Sequence, residues 1–595
     1  MGVCGLTTHL KESVKFHGIQ RELRGTKLII DGHNLCYYLY EGNGFDCRCG
    51  GQYEEFYWKV WLFFDALKSK DVESFVVLDG AYDRSDKKLE TKKKQIRKRI
   101  KMADRLFKNK TSPNRNDNFL LPLLAKFVFV EVLRDHVIKF AVSDCEADRD
   151  IASLAKDWEC PVLSDDSDFF IFDVKGGFIP LSSFDVGQLT ARIFYRSDVA
   201  SNLGIREELL PLFASLVSND YVSWEALEPF HFEIYTSASN GRKRKVDRFS
   251  DVKKFLSQFS NSITEKEAFE SAMGRVEPGE SRERLKKAVE YSLKEYEITQ
   301  SNLLDYFRDG VVCSLLRTQN DHELDEELLH RFREGEISTD CMSSLTAGKV
   351  FLRVQVEDRE SRSPNQCSMS LRQLMYGILS DGGRNMEIIE EWDREGFADI
   401  KPFNDKVPSF SSIPKLDPHV RLRVFLDALD SDSAYIKSLP EELALVASSL
   451  RFLHRNSLPS LETSHLRALV CSWVKLEDGS WKQDQGHSTR AVNQPFDERA
   501  AQSFCQWQCV LRDAIHLNFV LHKPVQTPCI RKTFNGKLVH RLQRELKKGR
   551  KPESLMSSPS SLIRYHELYT AITADSKEKG SDKRDRAKEN TTNSY

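Results

Sequence analysis

The sequence predicts an α/β fold with a mostly parallel central sheet over residues 1–235, followed by a mainly α-helical region over 245–570. Three observations predict it. Short apolar runs alternate with helical patterns up to about residue 225, the pattern of βαβ units. Several of these runs end in carboxylates. Beyond residue 245 apolar residues recur at helical spacing, and strand signals are few.

The elements follow in order. GTKLIID (25–31) is a buried-strand run that leads into a helical pattern, and QYEEFYWKVWLFFDALKSK (52–70) reads as a helix. ESFVVLDG (73–80) is the second strand, FVFVEVL (127–133) the third, and CPVLSDDSDFFIF (160–172) contains the fourth. EADRDIASLAKDWE (146–159) is the helix before the fourth strand. Later, DVKKFLSQF, RERLKKAVEYSLKEY, PEELALVASSLRFLHRN, SHLRALVCSWVKL and ERAAQSFCQWQCVLRDAIHLNFVLH carry helical stripes. Residues 572–595 have almost no apolar side chains and are expected to be disordered, because little burial offsets their ordering entropy.

At 595 residues the chain has room for two to four domains. Its net charge of −1 says nothing about partners, so any electrostatic footprint must be local. The start has no apolar segment of the secretory type and does not fit a myristoylation motif. The most apolar run, FLLPLLAKFVFVEV, is broken by Lys126 and Glu131. These features predict a soluble intracellular protein. Thirteen scattered cysteines without a CxxC pair read as reduced thiols rather than a zinc site.

The acids carry the chemistry. Asp31 and Asp79 close the first two strands, while Asp165, Asp166 and Asp168 follow the fourth. Glu146 and Asp148 open a helix, and Asp220 sits in SLVSNDYVS. Each alone reads as a helix cap or first-turn acid. Together they lie at the carboxyl edge of a parallel sheet, where ligands bind. Converging carboxylates repel unless cations compensate them, and an oxygen-only donor set suits Mg²⁺ or Mn²⁺. An EF-hand loop fails, since its sixth position would be Ser153 rather than Gly. Asp150 is a weaker candidate, because residues two apart diverge on a helix.

Between the second and third strands, RSDKKLETKKKQIRKRIKMADRLFKNK (84–110) holds 13 Lys or Arg against three acids. It reads as a solvated face or, beside Asp79, as a phosphate-contacting surface. Lys88, Lys92, Lys93, Arg97, Lys98 and Arg99 are its candidate nucleic-acid contacts. Tyr37, Tyr38 and Tyr40 could stack bases or pack the first helix. GRKRKV (241–246) and the basic tail are candidate nuclear localisation signals.

MGVCGL, LIIDGHN, VVLDG, CEADRD, LSDDSDFFIF and SNDY, in this order over residues 1–225, resemble the flap-endonuclease (XPG/Rad2-like) superfamily with its PIN-like fold. The nearest branch is that of the asteroid homologues. The resemblance implies that Asp31, Asp79, Glu146, Asp148, Asp166, Asp168 and Asp220 surround two Mg²⁺ ions, with Mn²⁺ as the alternative. On this reading Glu146, Asp148 and Asp166 hold one ion, and Asp168 with Asp220 holds the other. Asp31 and Asp79 act directly or through water. Such ions lower the pKa of a water and steady the leaving 3′-oxygen. The resemblance further implies that Gly2 packs close to the site and that two basic residues seven apart contact the scissile phosphate. Lys87 and Lys94 have that spacing, as do other pairs in the stretch, and residues 84–115 would form an arch-like segment.

The sequence also departs from the superfamily. SNDYVSWEALEPFHFEIY replaces its glycine-rich helix-two-turn-helix, and no PCNA box is evident in the C-terminal tail. The expected activity is therefore a metal-dependent, structure-specific DNA endonuclease acting on single strands, overhangs or flaps in DNA repair, in the nucleus. Protein partners would meet the helical region. An inactive DNA-binding or repair adaptor and a PIN-type ribonuclease are the alternatives.

Overall fold

The computed structural model describes residues 2–12, 17–108, 119–239, 247–259, 263–380, 388–396, 399–406, 417–483 and 496–575. Its centre is a five-stranded sheet in the order Lys139–Val142, Glu73–Leu78, Lys27–Asp31, Val162–Ser164, Phe178–Pro180. Every neighbouring pair is parallel. The chain builds outward from Lys27–Asp31 through the next two strands, then returns to the other side with Val162–Ser164. The switch point between these two strands, at their carboxyl ends, is where an open α/β sheet binds its ligand.

Ile29 and Ile30 are both fully buried and face opposite sides of the sheet, as successive strand residues must. The two cores share the later chain between them. On the Ile29 face lie the Asp148–Asp157 helix and buried residues from 199 to 304. On the Ile30 face lie the Gly32–Gly42, Tyr53–Lys68 and Ala125–Asp135 helices and buried residues from 316 to 572. The region beyond 245 therefore covers both faces of the sheet.

Two elements differ from the sequence expectation. FVFVEVL is not the third strand. It lies in the Ala125–Asp135 helix, which buries Ala125, Val128, Phe129, Val132 and Leu133 at helical spacing; the strand is KFAV, Lys139–Val142. A short apolar run does not by itself distinguish a strand from a buried helix. The later region also contains a three-stranded sheet, Lys349–Phe351, Ile388–Glu395 and Asp399–Lys406.

The segment expected to be disordered from residue 572 is ordered at its start. The Pro559–Thr573 helix buries Ile572, and Asp575 pairs with Arg451 at 3.5 Å. The rest of that segment lies outside the described residues, as does GRKRKV. Among the described residues no helix is long and apolar enough to cross a membrane.

Candidate metal centre and its basic helix

Asp31 ends the central strand and caps the Gly32–Gly42 helix, accepting from the Asn34 amide at 3.0 Å and from Ser164 Oγ at 2.8 Å. It is 4% exposed. Burial, then the neighbouring Asp79 charge, pushes its carboxyl up to about 7. Asp79, past the second strand, accepts from His33 Nδ1 at 2.5 Å and from the Ala147 amide at 3.2 Å. Burial and Lys126 push the His33 ring down to about 4. Burial works against the Asp79 charge, but the His33 contact outweighs it and holds this carboxyl below its ordinary value.

The Asp148–Asp157 helix starts at Asp148, whose carboxylate is not spent on a cap. Asp166 caps the short Ser167–Phe170 turn and accepts from the Asp168 amide at 3.1 Å. This turn brings Asp166 and Asp168 to one side. One oxygen from each of Asp148, Asp166 and Asp168 lies within 4.8 Å of the others. Burial pushes all three carboxyls up, and mutual repulsion adds to it for Asp148 and Asp168. Such an all-oxygen set, repulsive by itself, fits a hard divalent cation.

The remaining acids form a looser ring. Glu146 is half-exposed at 3.7 Å from Lys88 Nζ. Burial, moderated by Lys88, raises its carboxyl above the ordinary value. Asp220 accepts from the Gly2 amide at 3.2 Å and lies near enough to act on Glu146, Asp166 and Asp168. Gly2 has φ +78°, and a Cβ there would stand 2.2 Å from Asp166 Oδ1. Asp165 faces solvent, and Asp150 is engaged by Ser301 Oγ at 2.6 Å. The structure thus joins Asp148 and Asp166 with Asp168, across the division into two ligand groups that the resemblance implied.

The Leu89–Lys108 helix and the two lysines just before it carry the cations. Lys87 and Lys94 do not converge on the acids. Lys87 Nζ sits 3.3 Å from the Tyr291 ring centroid, and Lys94 pairs with Glu225 at 3.4 Å. Lys88 and Lys92 are the lysines that act on Glu146, and Lys92 also feels Asp79 and Arg99. Lys92 and Arg99 are themselves seven apart, hence on one face. Lys93 lies over the Trp392 ring at 4.4 Å, Arg97 pairs with Asp399 at 3.0 Å, and Lys98 is exposed. Tyr40 is fully buried, and Tyr37 packs edge-on against Phe119, so these two pack the first helix.

Sequence reasoning missed Tyr296. Its hydroxyl donates to Asp168 Oδ1 at 2.8 Å and accepts from Asn219 Nδ2 at 3.3 Å. It follows the Glu280–Glu295 helix, far along the chain, and no local signal marks it. Ser164 and His33 were visible only as neighbours of the motif acids.

A parallel sheet with acids converging at its switch point, beside a cation-rich helix, is the architecture of an XPG/flap-endonuclease-type nuclease fold. Residues 122–398 match the family described as XPG domain containing, and residues 479–581 match the Asteroid N-terminal domain. These matches make the chain similar to the asteroid homologues of that superfamily. It is 29% identical to "Single-strand DNA endonuclease ASTE1" of Homo sapiens, over 96% of this chain and 90% of the relative. It is 28% identical to "Protein asteroid" of Drosophila melanogaster, over 52% and 41%. Among solved structures, the catalytic core of Rad2 in complex with DNA substrate overlaps 53% of this chain and 100% of its own, at 13% identity and TM-score 0.27. Human GEN1 with Holliday junction DNA overlaps 69% and 89%, at 13% identity and TM-score 0.30.

Proposed function

We propose that this chain is a metal-dependent, structure-specific DNA endonuclease that cuts single-stranded DNA or the single-stranded parts of overhangs and flaps. The convergence of Asp148, Asp166 and Asp168 beside the basic helix carries this reading. The name of the human relative, a single-strand DNA endonuclease, supports the substrate class. The absence of a glycine-rich duplex clamp after SNDY points the same way.

Asp148, Asp166 and Asp168 would hold Mg²⁺, with Glu146, Asp220, Asp31 and Asp79 around them; Mn²⁺ suits the same oxygens. When bound, the metal supplies Lewis-acid activation of water and charge stabilisation at the phosphate. The chain's own residues do the rest. Tyr296 fixes the orientation of Asp168, and Ser164 and Asn34 fix Asp31. His33 keeps Asp79 ionised and aimed. Gly2 leaves the space that Asp166 occupies. Lys92 and Arg99, rather than Lys87 and Lys94, offer cations where negative charge grows on the phosphate. A role in DNA repair with nuclear residence belongs to this reading.

The test is cleavage of labelled single-stranded, overhang, flap and blunt DNA by the purified chain, with Mg²⁺ or chelator. We expect Mg²⁺-dependent cutting of substrates with single-stranded character, absent in Asp166→Ala/Asp168→Ala. A folded protein that binds DNA but cuts nothing would instead be an adaptor, and cutting confined to RNA would make it a ribonuclease.

A further inference from the structure

On its Asp79 side the site is walled by cations that make no hydrogen bond or ion pair among the described residues. Lys126 lies in the first turn of the Ala125–Asp135 helix. Arg353 follows the Lys349–Phe351 strand, far away in sequence. The two act on each other and both act on His33 and Cys36, while Lys126 also feels Asp79 and Arg99. Lys92 is close enough to feel Arg353. Among the described residues, neither the Lys126 ammonium nor the Arg353 guanidinium has a hydrogen-bond or ion-pair partner. Asp79, the carboxylate beside them, is already taken by His33 and the Ala147 amide.

The arrangement is held in place. Phe351 and Val354, on either side of Arg353, pack with Ile400 and Trp392 against Ile96 and Ile100 of the basic helix. Leu352 is buried, and Asn365 Nδ2 donates to the Arg353 carbonyl at 3.3 Å. Arg353 is therefore delivered to the site by a packed segment of the later chain. Burial and Arg353 press the Lys126 ammonium well below its ordinary value, as happens when a cation lacks a counter-charge.

Converging cations of this kind suit an anion that offers several acceptor oxygens. An ammonium and planar guanidinium forks match the oxygens of a phosphate. Their place beside the carboxylate centre makes a strand phosphate the fitting ligand. We propose that Lys126 and Arg353, with Arg99, form a phosphate pocket that holds a phosphate of the nucleic-acid strand next to the one being cut. The inference rests on the nuclease reading for its substrate, and the pocket is built jointly by the nuclease sheet's own helices and the later chain.

The test uses the full chain in chelator, where nothing is cut. Anisotropy would measure binding of a labelled single-stranded oligonucleotide, with a 5′-phosphate or a 5′-hydroxyl, from 50 to 200 mM salt. Lys126→Gln/Arg353→Gln is expected to bind at least tenfold more weakly at low salt. Its log–log salt slope should be shallower by about 0.7, the value for one phosphate contact on a single strand. Lys126→Arg/Arg353→Lys keeps both charges and should keep the salt slope of the unsubstituted chain. Loss for both oligonucleotides places an internal phosphodiester in the pocket, and loss for the 5′-phosphorylated one alone places a terminal phosphate there.

Unchanged affinity and slope in the folded Gln variant would overturn the pocket. Should that variant fail to fold, Arg353→Gln alone carries the same comparison. An unsubstituted chain that cuts DNA while the variant binds normally sinks only the pocket. One that binds through these residues yet never cuts sinks only the nuclease reading.

Discussion

Asp31 combines two jobs that pull in opposite directions. As a helix cap it accepts hydrogen bonds, which favour its charge; as a buried neighbour of Asp79 it resists that charge, and the second effect wins. Its carboxyl, near 4 when unfolded, sits at about 7 when folded. Between those values the folded state holds a proton that the unfolded state has lost, so this group's contribution to stability falls as pH rises through that window. In chelator, the melting midpoint of Asp31→Asn minus that of the unsubstituted chain should therefore grow from pH 5 to pH 8, and Mg²⁺ should erode the difference. Thermal melts across that range check it, and a flat difference would refute the raised carboxyl. Gly2 offers a steric test of the same centre. With a Cβ 2.2 Å from Asp166 Oδ1 and a φ of +78°, Gly2→Ala must shift the carboxylate. Cleavage should fall roughly tenfold to hundredfold, and the positive φ should lower the melting midpoint as well.

Two helices decide whether these residues work together. The Glu280–Glu295 helix ends beside Tyr296, whose hydroxyl holds Asp168 from outside the motif-bearing chain. Partners that orient a metal ligand are usually worth about 10–100-fold in affinity or activity. Tyr296→Phe should weaken Mn²⁺ or Mg²⁺ binding by that order in titration calorimetry; unchanged binding would make Tyr296 a packing residue only. The basic helix is polar on one face and anchored on the other by Ile96 and Ile100, which meet Ile400 of the later sheet. It is therefore a braced element rather than a free arch. Ile100 is fully buried, so Ile100→Ala should cost about 2–4 kcal/mol. Hydrogen exchange should then rise in residues 89–108 while the central strands stay protected; uniform change would deny the brace.

At the scale of the molecule, the nuclease sheet and the later chain share their cores. Buried residues from 249 to 304 cover one face, and buried residues from 316 onward join the core on the other. A chain ending at residue 239 would keep all seven motif acids yet lose Tyr296, Arg353 and the cover of both faces. It should aggregate or elute as large species in size-exclusion chromatography. A folded monomeric fragment would show that the first 239 residues stand alone.

Most of the acids were legible in the sequence because they follow local rules: Asp31, Asp79, Asp166 and Asp168 lie at or just past strand ends, and Glu146 and Asp148 open a helix. The parallel sheet was legible from the same alternation, apart from its third strand. There an apolar run of seven residues was compatible with either a strand or a buried helix, and packing on the sheet chose the helix. The cation pair was only half legible. A lysine-rich helix offers several pairs seven apart, and the helix's rotation against the later sheet selects which face meets the acids. Tyr296, Lys126 and Arg353 carry no local signal, since their roles arise from contacts between segments distant in the chain. What the sequence determined by itself was the set of charges and the strand ends that present them. What the tertiary structure decided was which charges meet, because convergence depends on packing across the sheet, and packing is a property of the whole chain.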